Sequence, residues 1–433
     1  MSISAILVAE HRDLRMTKLG KDAFTTGGAA MSVEAAVSLI ATRVPSIEAT
    51  ETVGLLSAEG RVLAQMLTAA IDLPRFDNSA VDGYAVRWRD LTKDAETQLP
   101  VVGRITAGHA LDKAAPEHTA LRIFTGAPVP EGFDTIYMQE DCKLLDDGKV
   151  VLPPGLTKGA NLRCRGEDLS KAAEALPAGR RLMPEDIGLA AALGITELKV
   201  RRRLKAAIFS TGDEIVSPGT ALPIAAVYDA NRFMLNAMLQ RLGVDVGDLG
   251  ILPDDRGIIT TALGDAAKSY DLVVTSGGVS MGEEDHVKAA IEAEGTLAFW
   301  KLAIKPGRPV AMGILHGTPF IGLPGNPVAV FVCFAALVRP LIAALNGATA
   351  EPLRRQKVTS GFAFKKKPGR REYLRVSLRT DATGETVAEK YAVQGSGALS
   401  SLTRTQGLVE LHEDVTEIAT GDKVDFIDYA LMR

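Results

Sequence analysis

Cysteine is scarce in this 433-residue chain: Cys142, Cys164 and Cys333 are the only three. An odd count at wide spacing makes no disulfide framework and no paired-cysteine zinc site. The six histidines are scattered and form no HExxH pair. Aromatic residues make up 5% of the chain, too few for the stacking platform of a single-strand nucleic-acid binder. A basic excess is missing as well: 49 Lys and Arg stand against 53 Asp and Glu, net −4, which argues against a general duplex-DNA binder. No apolar run reads as the roughly 20 uncharged residues that span a bilayer. The apolar stretch at residues 3–9 is short and runs at once into Glu10, His11, Arg12 and Asp13, which makes a poor signal peptide. These absences predict a cytoplasmic protein that meets neither nucleic acid nor membrane.

What is present is 46% hydrophobic content, enough to bury real cores. At roughly 100–200 residues per domain, the length implies two to four domains. Residues 1–30 have no sustained period and read as a mobile extension. Ser32 caps an amphipathic pattern, and a second helical segment is expected at about Glu59–Thr68. From 74 to 163, short apolar runs broken by Gly and Pro predict a β-rich domain. It is inserted into a helical domain made of two segments, 31–73 and 164–203, that pack together. From Leu204 strand and helix alternate at βαβ spacing. This predicts an α/β domain over 204–347 with a parallel or mostly parallel sheet. Evenly spaced strands over 348–433 predict a small C-terminal β domain.

The strand DLVVT runs into Ser276-Gly277-Gly278-Val279-Ser280-Met281-Gly282. A glycine-rich turn there, opening a helix, is where α/β folds bind anions, because backbone N–H groups and the helix dipole face the ligand. It is not a Walker A loop, and a plain strand–helix turn is the alternative. Glu283 and Glu284 read as acids of a helix's first turn, and His286 as an ordinary packing histidine. Asp285 is a candidate to hold Mg²⁺ or accept a proton. In KLAIKPGRP, Lys301, Ala303 and Lys305 share one strand face, with Leu302 and Ile304 on the other. Pro306-Gly307 then turns the chain to present Arg308. Three cations make a pocket for phosphate or another tetrahedral oxyanion, the alternative being a solvated strand end. Asn326 suits an N-cap and Pro327 a first helical position. Asp213 and Glu214 follow the first strand of this domain, Asp229 and Asn231-Arg232 open a helix, and Asp254-Asp255 follow the second strand. Such loops gather where parallel sheets place ligands. PRFDNSAVDGYAV and RIFTGAPVP read locally as turns.

Taken in order, PRFDNSAVDGYAV, RIFTGAPVP, RCRGEDL, STGDEIV, YDANRFML, TSGGVSMGEEDHVK, FWKLAIKPGRPVAMG and IGLPGNPVAVF closely resemble the molybdopterin molybdenumtransferases, the MoeA and gephyrin E-domain family. The resemblance covers about residues 32–433 and implies the four-part layout above. It implies insertion of molybdenum from molybdate into adenylylated molybdopterin, with AMP released and Mg²⁺ assisting. The receiving sulfurs belong to the pterin, which fits a chain with few cysteines. By motif match, Asp285 holds Mg²⁺ or promotes phosphoanhydride cleavage, with Lys301, Lys305 and Glu214 as further catalytic residues. Ser276, Gly277, Gly278 and Ser280 contact phosphate; Lys301, Lys305 and Arg308 bind phosphate and molybdate. Asp82, Thr125, Pro324 and Pro327 match binding positions, and Arg375 and Ser396 are the C-terminal domain's contribution. The resemblance also implies a homodimer in which Asp82 and the Lys305 cluster of one site come from different subunits. The molybdopterin adenylyltransferase and molybdoenzyme apoproteins are candidate protein partners. Three positions depart from the family: Arg308 where lysine is common, Cys164 where arginine is usual, and Ala230 for a usual serine. Alternative functions are a molybdopterin adenylyltransferase, whose fold the α/β domain also resembles, and a gephyrin-like scaffold.

Overall fold

The computed structural model describes residues 30–432 except 112, 280–285 and 350. The expected N-terminal extension, up to residue 29, lies outside the described residues, as do Ser280 and Asp285. Described helices are α1 (Val33–Arg43), α2 (Pro184–Ala192), α3 (Asn231–Arg241), α4 (Arg256–Ser269), α5 (His286–Glu294), α6 (Pro327–Cys333), α7 (Arg339–Leu345) and the single turn α8 (Ser400–Thr403). A π turn, Phe334–Val338, joins α6 to α7. It falls just before Pro340, where a missing N–H and ring clash would otherwise break a continuous α-helix.

The α/β unit has six strands: β1 (Lys205–Thr211), β2 (Asp245–Leu252), β3 (Leu272–Ser276), β4 (Gly295–Lys301), β5 (Pro309–Leu315) and β6 (Thr318–Leu323). Their order is β2-β1-β3-β6-β5-β4. The first four are parallel, and only β5 runs against its neighbours. Strand period 2 divides β1 between two cores: Ala206 and Ile208 face α1, α3 and the 327–345 run, while Ala207 and Phe209 face α4 and α5. Coverage of both faces explains why β1 and β3 are nearly continuous apolar runs.

One sequence reading is corrected here. Pro327–Leu345 is long and apolar enough to cross a bilayer, but 78% of it is buried inside the protein. A helix apolar all round serves equally as a core helix, and this one fills the largest core.

Two further expectations fail at residues 31–73. Glu59–Thr68 is not helical: Val62 and Leu63 bridge to Arg181 and Val200, and Leu67–Thr68 pairs with Glu174–Leu176. Its apolar spacing fits an extended segment too, and pairing with 174–200 wins over local propensity. Nor does α1 pack on α2. Val33, Ala36 and Ile40 join the α/β core, whereas α2 buries Ala190 against Leu63, Leu176 and Leu198. Met31 decides this, since its N–H donates to Lys301 O (3.0 Å) and its carbonyl accepts from Ala303 N (2.7 Å), pinning the start of α1 beside β4.

The inserted sheet has six strands, with Gly83–Val86 between Thr135–Met138 and Ala120–Ile123. At the C-terminus, Gln356–Ser360, Arg371–Thr380, Thr386–Lys390, Gly407–Leu411 and Lys423–Asp428 close into a barrel, because Arg371–Thr380 pairs with strands at both ends of the series. Closure removes the exposed edges of so small a sheet. The Ile304–Lys305 strand joins the barrel in parallel at Arg371–Glu372.

Candidate functional site

Strand order reverses between β1 and β3, the switch point where open α/β sheets bind ligands at their carboxyl ends. Two loops touch there. Gly277 (φ +92°) and Gly278 (φ +64°) lie in the left-handed region. A Cβ on Gly277 would sit 2.5 Å from Thr211 O, and one on Gly278 2.5 Å from Val287 Cγ2, so only glycine fits. Ser276 Oγ accepts from Asn231 Nδ2 (2.8 Å) and donates to Pro324 O (3.2 Å), while Asn231 Nδ2 also reaches Gly325 O (2.6 Å). The starts of α3 and α6 are thus tied to β3. Ser210 Oγ, Thr211 Oγ1, Thr275 Oγ1 and Asn231 Oδ1 are buried here without a hydrogen-bond partner. A cluster of unsatisfied buried oxygens marks a place where water or ligand completes the bonding.

Glu214 is exposed at the end of β1, its carboxylate folded against Gly212. Asp229 is not free for a ligand: its carboxylate takes Arg232 Nε at 2.9 Å, and Arg232 also pairs with Asp248. Asp229 Oδ1 further accepts from Arg232 N (3.1 Å), so it bonds the first turn of α3, where Ala230 stands at the cap without a hydroxyl. Asp255 caps α4 through Ile258 N.

The cation segment follows the expected alternation. Leu302 and Ile304 are buried, Lys301 and Ala303 half-buried, and Lys305 and Arg308 exposed. The turn closes through Leu302 N to Arg308 O, 2.9 Å. Lys305 is not a free cation, because its Nζ lies 3.1 Å from Glu372 Oε2 of the barrel. Sequence reasoning missed Glu372 and its neighbour Arg370; the available signal was an acid inside the otherwise apolar-alternating REYLRVSL strand.

Arg375, which the family resemblance implies as part of the site, is held by protein groups. It is 1% exposed and spends its guanidinium on protein: Ser401 Oγ (3.1 Å), Gly395 O (2.9 Å) and Val393 O (3.3 Å). Burial pushes its pKa down from the ordinary value, and the nearby Tyr429 partly offsets this. Its bonds shape the loop carrying Ser396, whose carbonyl accepts Val328 N at 3.0 Å. That bond occupies an N–H at the start of α6. Asn326 stands at the cap position but makes no side-chain capping bond. Pro324 is buried with its carbonyl on Ser276, and Pro327 takes the first helical position, so both are placed as structure first.

Asp82 and Thr125 come together in the inserted sheet, where Asp82 Oδ1 accepts from Thr125 N (2.8 Å) and Thr125 Oγ1 (2.7 Å). These hydrogen bonds, backbone first, hold the half-buried Asp82 carboxyl below its ordinary pKa. A folded-state pKa below the unfolded one gives a contribution present above about pH 3.9 and lost as pH falls through the lowered value. Thr125→Ala is therefore expected to raise the Asp82 titration midpoint toward the ordinary carboxylate range. Carboxyl-carbon NMR checks this, and an unmoved midpoint would refute the assignment.

Family models match three stretches: "MoeA N-terminal region (domain I and II)" at 31–194, "Probable molybdopterin binding domain" at 207–344 and "MoeA C-terminal region (domain IV)" at 357–429. A Haemophilus influenzae protein named molybdopterin molybdenumtransferase is 38% identical over 397 residues, covering 91% of this chain and 97% of that one. Mycobacterium tuberculosis molybdopterin molybdenumtransferase 2 is 37% identical over 389 residues, covering 87% and 94%. The crystal structure of a molybdopterin biosynthesis MoeA protein from Pyrococcus horikoshii aligns with TM-score 0.78 at 28% identity, over 93% of this chain and all of that one.

Proposed function

This chain belongs to the MoeA family of molybdopterin molybdenumtransferases and has a role in molybdenum cofactor biosynthesis; we propose on that footing that it transfers molybdenum from molybdate to adenylylated molybdopterin and releases AMP. The observation that carries this reading is one shared sheet edge. β4 runs parallel to β6, so the Lys301–Arg308 segment leaves the same edge as the glycine turn after β3. Three strand spacings separate them, about 14 Å at ~4.8 Å each. That span suits an extended ligand with phosphates at the glycine turn and an oxyanion at the cations.

In this reading the Gly277 N–H stays on Leu323 O (3.1 Å) and anchors the turn, N–H groups from Gly278 onward bind phosphate, and Lys301, Lys305 and Arg308 neutralise molybdate. Asp285 accepts a proton or promotes phosphoanhydride cleavage, with Glu214 across the switch point. Among the described residues no three His, Cys, Asp or Glu side chains converge as a metal cage. Mg²⁺ commonly takes only one or two carboxylates besides substrate phosphates, so exposed hard-oxygen donors such as Asp213 and Glu214 fit it. When bound, it would neutralise charge on phosphate oxygens. We also infer a homodimer in which the Asp82–Thr125 pair of one subunit meets the partner's cation segment. In support, the hydrogen bonds of that pair stay within the inserted sheet.

Mixing the protein with adenylylated molybdopterin, molybdate and Mg²⁺ tests the function. AMP release supports the transferase, ATP consumption would mark an adenylyltransferase, and neither would mark a scaffold. Arg308→Ala is expected to raise the molybdate half-saturation point about 10- to 150-fold, the equivalent of a lost charge-assisted contact of roughly 1.5–3 kcal/mol. Affinity for adenylylated pterin should change less. An unchanged half-saturation point in a molybdate titration would count against Arg308.

A further inference from the structure

We propose that Glu372 is a positioning residue that holds Lys305 and Arg370 together as a two-cation clamp for molybdate; the proposal rests on the reading of Lys305 as an oxyanion ligand. Glu372 is 1% exposed. A carboxylate so buried is tolerated only with strong partners, and it has two: Lys305 Nζ at 3.1 Å on Oε2 and Arg370 Nε at 3.2 Å on Oε1. One carboxylate thus gathers a cation on each oxygen.

Backbone pairing sets this geometry. Lys305 and Glu372 are register partners in the short parallel pairing between the cation segment and the barrel, and Arg371 N donates to Ala303 O at 2.8 Å. The segment carrying Lys301, Lys305 and Arg308 is therefore held from one side by Met31 and from the other by the barrel.

Chemically, the ion pair consumes one of the three Lys305 donors and one of the five Arg370 donors. The half-exposed Lys305 head and the partly exposed Arg370 guanidinium keep the rest for a ligand. A lysine stem is flexible and loses entropy when it must adopt one geometry. An ammonium already restrained by Glu372 meets molybdate with part of that ordering done. Arg370 adds planar donors beside the point charge, suited to a second oxygen of a tetrahedral oxyanion.

The sign of the effect makes a test possible. By Coulomb's law alone, removing a negative charge beside an anion site tightens anion binding. If Glu372 acts by positioning, its removal weakens binding instead. Calorimetric titration of molybdate onto the full chain should show Glu372→Gln weakened about 10-fold, with the amide able to accept from only one of the two cations. In a Lys305→Ala background the same change should weaken binding by less than about 2-fold, because residues acting through one another are non-additive. Glu372→Asp keeps the charge but withdraws it by one methylene; it should also weaken binding, and it serves if the glutamine variant fails to fold. Equal or tighter binding in the folded variants, or full additivity with Lys305→Ala, overturns the proposal. Unchanged molybdate binding in Lys305→Ala alone would instead overturn the reading of Lys305 and this proposal with it.

Discussion

Asp285→Asn is expected to lower molybdate-dependent AMP release about 10²- to 10⁴-fold, the usual worth of a positioned acid or base. Asp285 directly precedes α5 in sequence and follows the Ser276-Gly277-Gly278 turn by seven residues. Around that turn the structure has what an anion site needs: two glycines in positive-φ conformations, a strand end at the switch point and the buried hydroxyls of Ser210, Thr211 and Thr275 without partners, each able to donate. Among the acids at these strand ends, Asp229 is spent on Arg232 and Asp255 on the start of α4, which leaves Asp213, Glu214 and Asp254 beside the loop that carries Asp285. In our reading the carboxylate at 285, seven residues after the glycine turn, carries the catalytic burden. The amide is nearly isosteric, so stability and binding of adenylylated pterin should stay near wild type. Measuring AMP release at saturating Mg²⁺ decides the matter; wild-type turnover in the variant would remove Asp285 from the mechanism.

Arg375→Ala is expected to destabilise the barrel by about 3–5 kcal/mol, from a cavity in a fully buried position plus acceptors left without donors. Arg375 is the largest fully buried side chain in the described structure, and no carboxylate pairs with it. Its three acceptors all belong to the 393–401 segment, so that segment should loosen first. The Ser396 carbonyl would then leave Val328 N, freeing the start of α6. Hydrogen exchange across 393–401, together with thermal unfolding, reads the effect, and AMP release should fall with it. Arg375→Lys should recover little, because a point charge cannot fork between Gly395 and Val393. The opposite pattern, unchanged unfolding with activity lost, would return Arg375 to direct contact with substrate, as the family resemblance implies.

These two expectations differ in how legible their residues are. Asp285 stands out locally, as an acid after a glycine turn on a strand end. Arg375 stands out only through motif resemblance, and its burial is not visible in the local pattern of a charged side chain on a strand. Lys305 lies between the two. Period-2 alternation correctly sets its face opposite Leu302 and Ile304. Its partner Glu372, however, is 67 residues away along the chain, and nothing in either local pattern joins them.

The sequence by itself determined the strand–helix alternation from Leu204 onward, the mostly parallel sheet, the glycine turn after β3, the outward cations of KLAIKPGR and the even strands of the C-terminus. Each follows from interactions within a few residues: side-chain period, turn chemistry and capping. Only the tertiary structure decided that Glu59–Thr68 is extended, that α1 joins the α/β core, that the apolar 327–345 run is core rather than membrane, and that Arg375 and Glu372 are buried. Those outcomes depend on which distant surface covers a segment. An apolar stripe or a charged side chain has the same local appearance whatever partner finally buries it.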